Sequence, residues 1–173
     1  MPFYLKRLRL PREDYRGRRI CFVTICCEKR RPVFADLSLG RCTLSYLAES
    51  AARRSFSLHS FCLMPDHLHF LAEGMDDACD LVKFIHVFKQ RTAFACRRSN
   101  SQQLWQTRFY DHILRRAEAI EDVACYIRMN PVRQGLCTDP HLYPLSGSQT
   151  IDWMKRSLAS TEWLPPWKRK PPG

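Results

Sequence analysis

The segment "FSLHSFCLMPDHLHFLAEG", residues 56–74, constrains the fold most, because it predicts two strands joined by a tight turn. Residues 56–64 show the apolar alternation of a half-buried strand, and the alternation resumes in residues 67–74. Pro65 and Asp66, which lie between the two runs, are residue types that favour reverse turns. We therefore predict an antiparallel β-hairpin, around which the remainder of a sheet must assemble.

The remaining patterns predict one strand before this hairpin and helices on both sides of it. The thiol-rich and β-branched run 20–27 is typical of a buried strand. Apolar residues at helical spacing predict three helices, at 38–54, at 78–98 behind an Asp77 cap, and at 118–130, where Pro131 ends the helix; residues 104–115 form a short extended stretch. The order predicts an α+β fold, an antiparallel sheet packed with helices in a ferredoxin-like sandwich.

The chain of 173 residues has room for one domain with a tail at each end. We divide it into a basic N-terminal arm at 1–19, a domain at 20–145, and a Pro- and Trp-rich basic tail at 146–173. The tail is interpreted in two ways: it folds over a binding groove of the domain, or it is disordered.

The positive net charge predicts an anionic partner. The chain has 28 Lys and Arg but only 17 Asp and Glu, which gives a net charge of +11. Such a surplus favours nucleic-acid phosphates, although a merely basic surface gives the same count. The cations of the arm are candidate DNA contacts: Lys6, Arg7, Arg9 and Arg12. No hydrophobic run reaches the roughly 20 residues of a membrane span. The N-terminus lacks the apolar core of a signal peptide, so we expect a cytoplasmic protein.

The nine cysteines do not form a zinc-finger pattern, because none of them belongs to a C-x-x-C pair. Most occupy apolar positions of the predicted elements. In a reducing compartment, such cysteines act as small hydrophobic core residues.

Two histidines of the hairpin suggest a metal site, because His67 and His69 lie on the same face of the second strand. Residues two apart on a strand have Cα atoms about 6.5–7 Å apart, so that both rings can reach one cation. Leu68, Phe70 and Ala72 point to the opposite face. An isolated H-x-H sequence also occurs by chance, so this pattern needs a second observation.

That second observation is the segment "YIRMN", in which Tyr126 and Asn130 are four residues apart on a predicted helix. Both lie at the flank of the helix's apolar stripe, where the edge of the packed face leaves space for a cleft. Taken singly, Tyr126 is an ordinary packing tyrosine and Asn130 a helix-ending residue. Together with the histidines, they supply metal ligands and a nucleophile, which suffice for phosphodiester cleavage.

Three segments in this order, "MPDHLHFL", "WQTRFYDHIL" and "YIRMNPVRQGL", resemble the signature segments of REP-associated tyrosine transposases. These form a branch of the single-tyrosine HUH transposases, named for histidine, hydrophobic residue, histidine. The resemblance covers residues 15–145 and implies an HUH endonuclease fold with the catalytic tyrosine on a late helix.

The resemblance also implies roles: His67, His69 and Asn130 would hold Mg²⁺ or Mn²⁺, and Tyr126 would be the nucleophile. Asp111 and His112 are candidates for supporting a ligand or touching DNA, or are ordinary polar residues of a strand end. Asp66 departs from the asparagine common in the family, and we expect no consequence, because it is not itself a ligand.

The implied activity is metal-dependent cutting and rejoining of single-stranded DNA next to hairpin, REP-like sequences through a 5′-phosphotyrosine intermediate. The alternative is a domesticated hairpin-binding protein without catalysis. Two-histidine phosphoesterases are excluded, because they need a second H-x-T/S motif, which this chain lacks. The REP-associated branch implies a monomer rather than a dimer.

Overall fold

The computed structural model describes residues 11–97, 102–156 and 162–169. Five strands and four helices follow one another in this order: β1 (Ile20–Cys26), α1 (Leu37–Arg53), β2 (Phe56–Met64), β3 (His67–Gly74), α2 (Leu81–Cys96), β4 (Tyr110–Ile113), α3 (Ile120–Arg128), α4 (Asn130–Arg133) and β5 (Ser146–Gly147). The predicted α+β fold is confirmed.

The five strands form one antiparallel sheet in the order β4-β1-β3-β2-β5. The predicted hairpin is β2–β3, with Pro65 and Asp66 in its turn. β1 pairs with β3 so that Thr24 lies opposite His69 and Cys26 opposite His67. Because paired residues share a face, β1 contributes Thr24 and Cys26 to the same surface as the two histidines.

One face of the sheet carries the larger hydrophobic core, which α1 and α2 cover. Leu68, Phe70 and Ala72 of β3 point into this core and are fully buried, as the alternation predicted. The opposite face carries the histidines and packs against α3, mainly through β2 and β3. The sheet therefore separates an aliphatic and aromatic core from a more polar layer.

The start of α2 corrects the prediction, because the cap is Asp80 and not Asp77. The Asp80 side chain accepts a hydrogen bond from the backbone N of Lys83 at 3.0 Å, which satisfies a free N–H of the first turn. Asp77 is exposed and lies 3.5 Å from the guanidinium of Arg18. Asp76, Asp77 and Asp80 are all possible N-cap residues, and the spacing of the apolar residues does not determine which of them is the cap.

Pro131 lies in the first turn of a second short helix, α4, and does not only mark the end of α3. α3 stops at Arg128, and α4 starts at Asn130 with Pro131 in its first turn. A proline is tolerated there, because the missing N–H would have no partner inside the helix.

The predicted tail begins inside the sheet, because Ser146 and Gly147 pair with β2 as β5. A Cβ on Gly147 would lie 2.7 Å from Cζ of Phe61, so a larger residue would require this ring to shift. Leu145 and Trp153 are also buried. The first part of the segment 146–173 is therefore integrated into the domain.

The cysteine prediction is confirmed: all nine are free, and seven are buried. Within the described ranges, the helices are too short or too polar to cross a membrane. Residues 1–10, with the predicted DNA contacts Lys6, Arg7 and Arg9, lie outside the described residues.

Candidate active site

The imidazoles of His67 and His69 converge at the start of β3, with 3.0 Å between their Nε2 atoms. Both residues are buried, and their rings are nearly perpendicular at a centroid distance of 4.5 Å. Two ligands in adjacent positions of an octahedron with bonds of 2.0–2.1 Å are about 3.0 Å apart. The separation of the two nitrogens therefore fits a hexacoordinate divalent ion.

The other ring nitrogen of each histidine is also engaged. His67 Nδ1 lies 2.6 Å from Asp66 Oδ1, and His69 Nδ1 lies 2.7 Å from Thr24 Oγ1. Asp66 is held in turn by Arg30, whose Nε is 2.9 Å from Oδ2. Partners on Nδ1 orient a metal-binding imidazole and leave Nε2 as the ligand atom.

Burial keeps both rings in the neutral form that a metal requires. It lowers the pKa of His67, and the hydrogen bond with Asp66 opposes this effect only in part. Burial lowers the pKa of His69 further, and nearby positive charges on His67, Lys168, Arg133 and Arg30 act in the same direction. A cation would therefore not have to compete with a second proton on either ring.

Asn130, the predicted third ligand, is buried at the start of α4. Its Nδ2 atom has no hydrogen-bond partner among the described residues, which is costly for a buried polar atom. A flip of the amide exchanges Nδ2 for the oxygen, which is a ligand atom for Mg²⁺ or Mn²⁺. Within the described ranges, no group of three or more His, Cys, Asp or Glu could hold a metal. Two imidazoles and an amide oxygen are donor types that a divalent ion can use, and the structure shows the convergence of the two imidazoles.

Tyr126 lies on α3 and is buried, not at the open edge that the helix pattern predicted. Phe22 of β1 connects it to the histidines: the Phe22 ring stacks on His69 at 5.5 Å and meets Tyr126 edge-on at 6.1 Å. The Arg133 guanidinium carbon lies 4.0 Å from the centre of the Tyr126 ring. The structure thus brings Tyr126 and the histidine pair to one locality, with positive charge beside them.

The C-terminal segment, residues 162–169, covers this locality. Trp163 packs edge-on against Tyr126 at 5.2 Å, and Trp167 stacks on Phe22 at 5.5 Å. Lys168 Nζ lies 5.8 Å from the centre of the Tyr126 ring. Of the two interpretations of the tail, the described part therefore supports folding over the candidate site.

Glu118, just before α3, fixes the C-terminal segment in place. Its carboxylate accepts hydrogen bonds from Trp163 Nε1 at 3.0 Å and from Arg169 at 2.9 Å, and it lies 2.7 Å from His112 Nε2. Burial acts to raise the pKa of Glu118, but these bonds and one from the backbone N of Arg115 hold it at about 2. Sequence patterns do not indicate this role of Glu118, because its partners Trp163 and Arg169 lie 45 and 51 residues further along the chain.

Asp111 and His112 point to opposite faces of β4. His112 lies opposite Phe22 on the face of the histidine pair, where it supports Glu118. Asp111 accepts a hydrogen bond from the Tyr15 hydroxyl at 3.0 Å on the other face. The structure does not bring Asp111 to the metal-ligand candidates, because neighbouring residues of a strand alternate in direction.

Arg12, the described member of the predicted DNA contacts, lies away from the histidines. It lines a surface cavity of about 600 Å³ together with Arg54, Lys83, His86, Tyr15, Val82 and Val87. Its guanidinium is 3.5 Å from the Asp80 carboxylate. Arg12 therefore belongs to a basic groove beside α2.

Comparison with known proteins identifies the family of the chain. The chain belongs to the IS200-like transposase family, whose model, "Transposase IS200 like", matches residues 20–130. The matched range includes β1, the histidine pair, Tyr126 and Asn130.

Individual relatives confirm the resemblance to REP-associated tyrosine transposases. The chain is 30% identical over 111 residues to a "REP-associated tyrosine transposase" of Escherichia coli K12, a match that covers 58% of this chain and 64% of the relative, slightly less than two thirds of its length. It is 24% identical over 135 residues to a "Putative REP-associated tyrosine transposase" of Haemophilus influenzae, covering 72% and 76% of the two chains.

One solved structure shares the fold. It is the REP-associated tyrosine transposase bound to a REP hairpin, with a TM-score of 0.66 and 20% identity over 80% of this chain and 82% of the other. At this identity the match supports the fold, a five-stranded antiparallel sheet with helices on both faces.

Proposed function

We propose that the chain cuts and rejoins single-stranded DNA next to hairpin sequences, with Tyr126 as the nucleophile. The observation that carries this proposal is the convergence of the two Nε2 atoms at 3.0 Å on the sheet face where Phe22 links His69 to Tyr126. The relatives named for REP association, and the solved relative whose title names a REP hairpin, support the choice of DNA.

In the proposed reaction, Tyr126 Oη attacks a backbone phosphorus atom. The Oη–P bond forms as the P–O3′ bond breaks, the tyrosine proton is lost to solvent, and the departing 3′-oxygen takes up a proton. The strand that begins with the 5′-phosphate stays attached to the tyrosine. Because the phosphotyrosine ester is a reactive phosphodiester, a 3′-hydroxyl can later attack it and rejoin DNA without ATP.

His67, His69 and Asn130 would hold Mg²⁺ or Mn²⁺, which when bound supplies positive charge for the scissile phosphate. The chain adds its own cations, because Arg133 and Lys168 lie 4.0 and 5.8 Å from the centre of the Tyr126 ring. Positive charge held beside the nucleophile favours the additional negative charge of a phosphoryl-transfer transition state.

DNA must displace the C-terminal segment to reach the nucleophile. Tyr126 is only 2% exposed, and Trp163 and Trp167 occupy the space above it and Phe22. Aromatic side chains in this position also suit single-stranded DNA, whose bases stack on such rings. We propose a monomer as the active form, because Phe22 links Tyr126 to the histidine pair of the same chain.

The decisive experiment incubates the protein with hairpin-bearing single-stranded DNA and Mn²⁺ and looks for a covalent complex that survives denaturation. Tyr126→Phe should abolish the complex while hairpin binding changes less than twofold. Tyr46→Phe is a matched control, because Tyr46 also lies under a guanidinium, that of Arg91 at 4.8 Å, but on α1. A covalent complex that persists in Tyr126→Phe would show that another residue is the nucleophile.

The ligand assignment is tested with His67→Ala and His69→Ala, each of which should remove metal-dependent cleavage. Undiminished cleavage in either variant would place the metal elsewhere. If the unaltered protein binds the hairpin tightly but forms no covalent complex with any divalent ion, the alternative of a non-catalytic hairpin-binding protein is the better one.

A further inference from the structure

Asp66, the residue before the histidine pair, contacts His67, one of the proposed metal ligands. Asp66 Oδ1 lies 2.6 Å from His67 Nδ1. We propose that Asp66 is a positioning residue that fixes the proton of His67 on Nδ1 and strengthens cation binding at Nε2. This inference rests on the metal site of the proposed function.

The chemistry of a carboxylate determines the direction of this hydrogen bond. An ionised carboxylate can only accept, so His67 must donate from Nδ1. A neutral imidazole carries one proton, and its Nε2 is then left with a free lone pair. His67 is thereby kept in the form that binds a metal, whether or not a metal is present.

Asp66 is itself held firmly enough to orient the ring. Its second oxygen, Oδ2, lies 2.9 Å from Arg30 Nε, and its backbone oxygen accepts a hydrogen bond from the Cys27 N at 2.9 Å. Arg30 also donates to Cys26 Sγ at 2.9 Å, which ties it to the end of β1. The Asp66 side chain is 25% exposed, so solvent screens this arrangement only in part.

His69 has a different partner, and the contrast defines what the carboxylate adds. Thr24 Oγ1 can donate to His69 Nδ1 or accept from it, because a hydroxyl does both. Two lone pairs cannot face each other at 3.0 Å, so without a cation His69 donates from Nε2 to His67 Nε2. For both Nε2 atoms to bind a cation, the His69 proton would have to lie on Nδ1 and be donated to Thr24, whereas His67 would need no change.

Asparagine at position 66 would keep the acceptor oxygen but lose the charge. A carboxylate behind a ligating imidazole makes the ring a stronger electron donor, and loss of such a partner commonly lowers metal affinity by about 10- to 100-fold. The loss of affinity in Asp66→Asn should lie at the low end of this range, because the amide oxygen still accepts the hydrogen bond from His67 Nδ1. We expect Asp66→Asn to raise the Kd for Mn²⁺ about tenfold.

The experiment measures Mn²⁺ binding to the full chain without DNA, from the loss of the free-ion electron paramagnetic resonance signal. Asp77→Asn is the matched control, because it makes the same charge change at an exposed residue beyond the other end of β3, and its Kd should stay within twofold of the unaltered protein. Imidazole ¹⁵N shifts of the metal-free protein should show His67 protonated at Nδ1, and Asp66→Ala should lose this preference.

The outcomes separate this inference from the proposed function. If the unaltered protein binds Mn²⁺ and binding is lost in His67→Ala, but Asp66→Asn binds equally well, the role of Asp66 is refuted and the metal site stands. A protonated Nε2 on His67 in the metal-free protein would also refute it. If the unaltered protein does not bind Mn²⁺ at all, the proposed metal site fails first.

Discussion

The two faces of the sheet are built from the same strands but differ in what covers them. Beneath α1 and α2, Phe70, Phe84 and Phe88 are fully buried in an apolar core. On the other face, β3 presents His67 and His69, and the cover consists of α3 and the C-terminal segment. Alternation along one strand thus supplies a stabilising core and a reactive surface at once.

The elements that cover the two faces of the sheet are attached in different ways. α1 and α2 are long helices that bury whole apolar faces, so that removing either would expose a large area. Residues 162–169 include no α-helix or strand; they are held by aromatic contacts and by the bonds of Glu118. We infer that the α1/α2 face sets the stability of the domain, whereas the other face can open without unfolding.

The largest effect is expected from a cavity in the α1/α2 face. Phe70→Ala removes a fully buried ring that packs edge-on against Phe84 at 5.7 Å. Such a truncation should lower the free energy of unfolding by about 3–5 kcal/mol. Urea denaturation followed by circular dichroism measures it.

Tyr126→Phe is the counterpart on the other face. The substitution keeps the buried ring and removes only the hydroxyl with its hydrogen bond to Arg133, so the free energy of unfolding should fall by only about 0.5–1.5 kcal/mol. A loss as large as that of Phe70→Ala would contradict the division between a stabilising and a reactive face.

An intermediate effect is expected from Glu118→Gln, which weakens the attachment of residues 162–169 to the face that carries the histidines. Glu118→Gln keeps the size of the side chain but removes the charge that three side chains contact, Trp163, Arg169 and His112. Bonds to a charged group contribute about 1.5–3 kcal/mol, and here they stabilise the docked segment, not the whole domain. Acrylamide should quench tryptophan fluorescence more strongly in the variant, while the urea midpoint moves little.

The pH dependence of docking has a definite sign. Since the pKa of Glu118 is lowered from 4.5 to about 2 in the docked state, its contribution is complete above pH 4.5 and is lost as the pH falls towards 2. Quenching by acrylamide should therefore rise over this interval in the unaltered protein and be flatter in Glu118→Gln. Equal pH profiles for the two proteins would show that Glu118 does not hold the segment.

The sequence predicted those features that depend on local pattern. Alternation placed His67 and His69 on one face, and the Pro65–Asp66 turn fixed the hairpin, because both are properties of neighbouring residues. The two-residue strand β5 has no pattern of its own to detect. Thr24 and Glu118 were missed because their roles depend on strand register and on a distant segment, which periodicity does not encode.

The smallest effect is expected at Glu121, one helical turn away from Glu118. Glu121 also binds an arginine of the C-terminal region, Arg156, but both side chains are more than half exposed, whereas Glu118 is 12% exposed. Solvent-exposed ion pairs contribute about 0.2–1 kcal/mol and are weakened by salt. Glu121→Gln should therefore leave tryptophan quenching unchanged at 0.15 M salt and shift the urea midpoint only slightly. If Glu121→Gln released the C-terminal segment as strongly as Glu118→Gln does, the segment would be held by general charge attraction and not by the hydrogen bonds of Glu118.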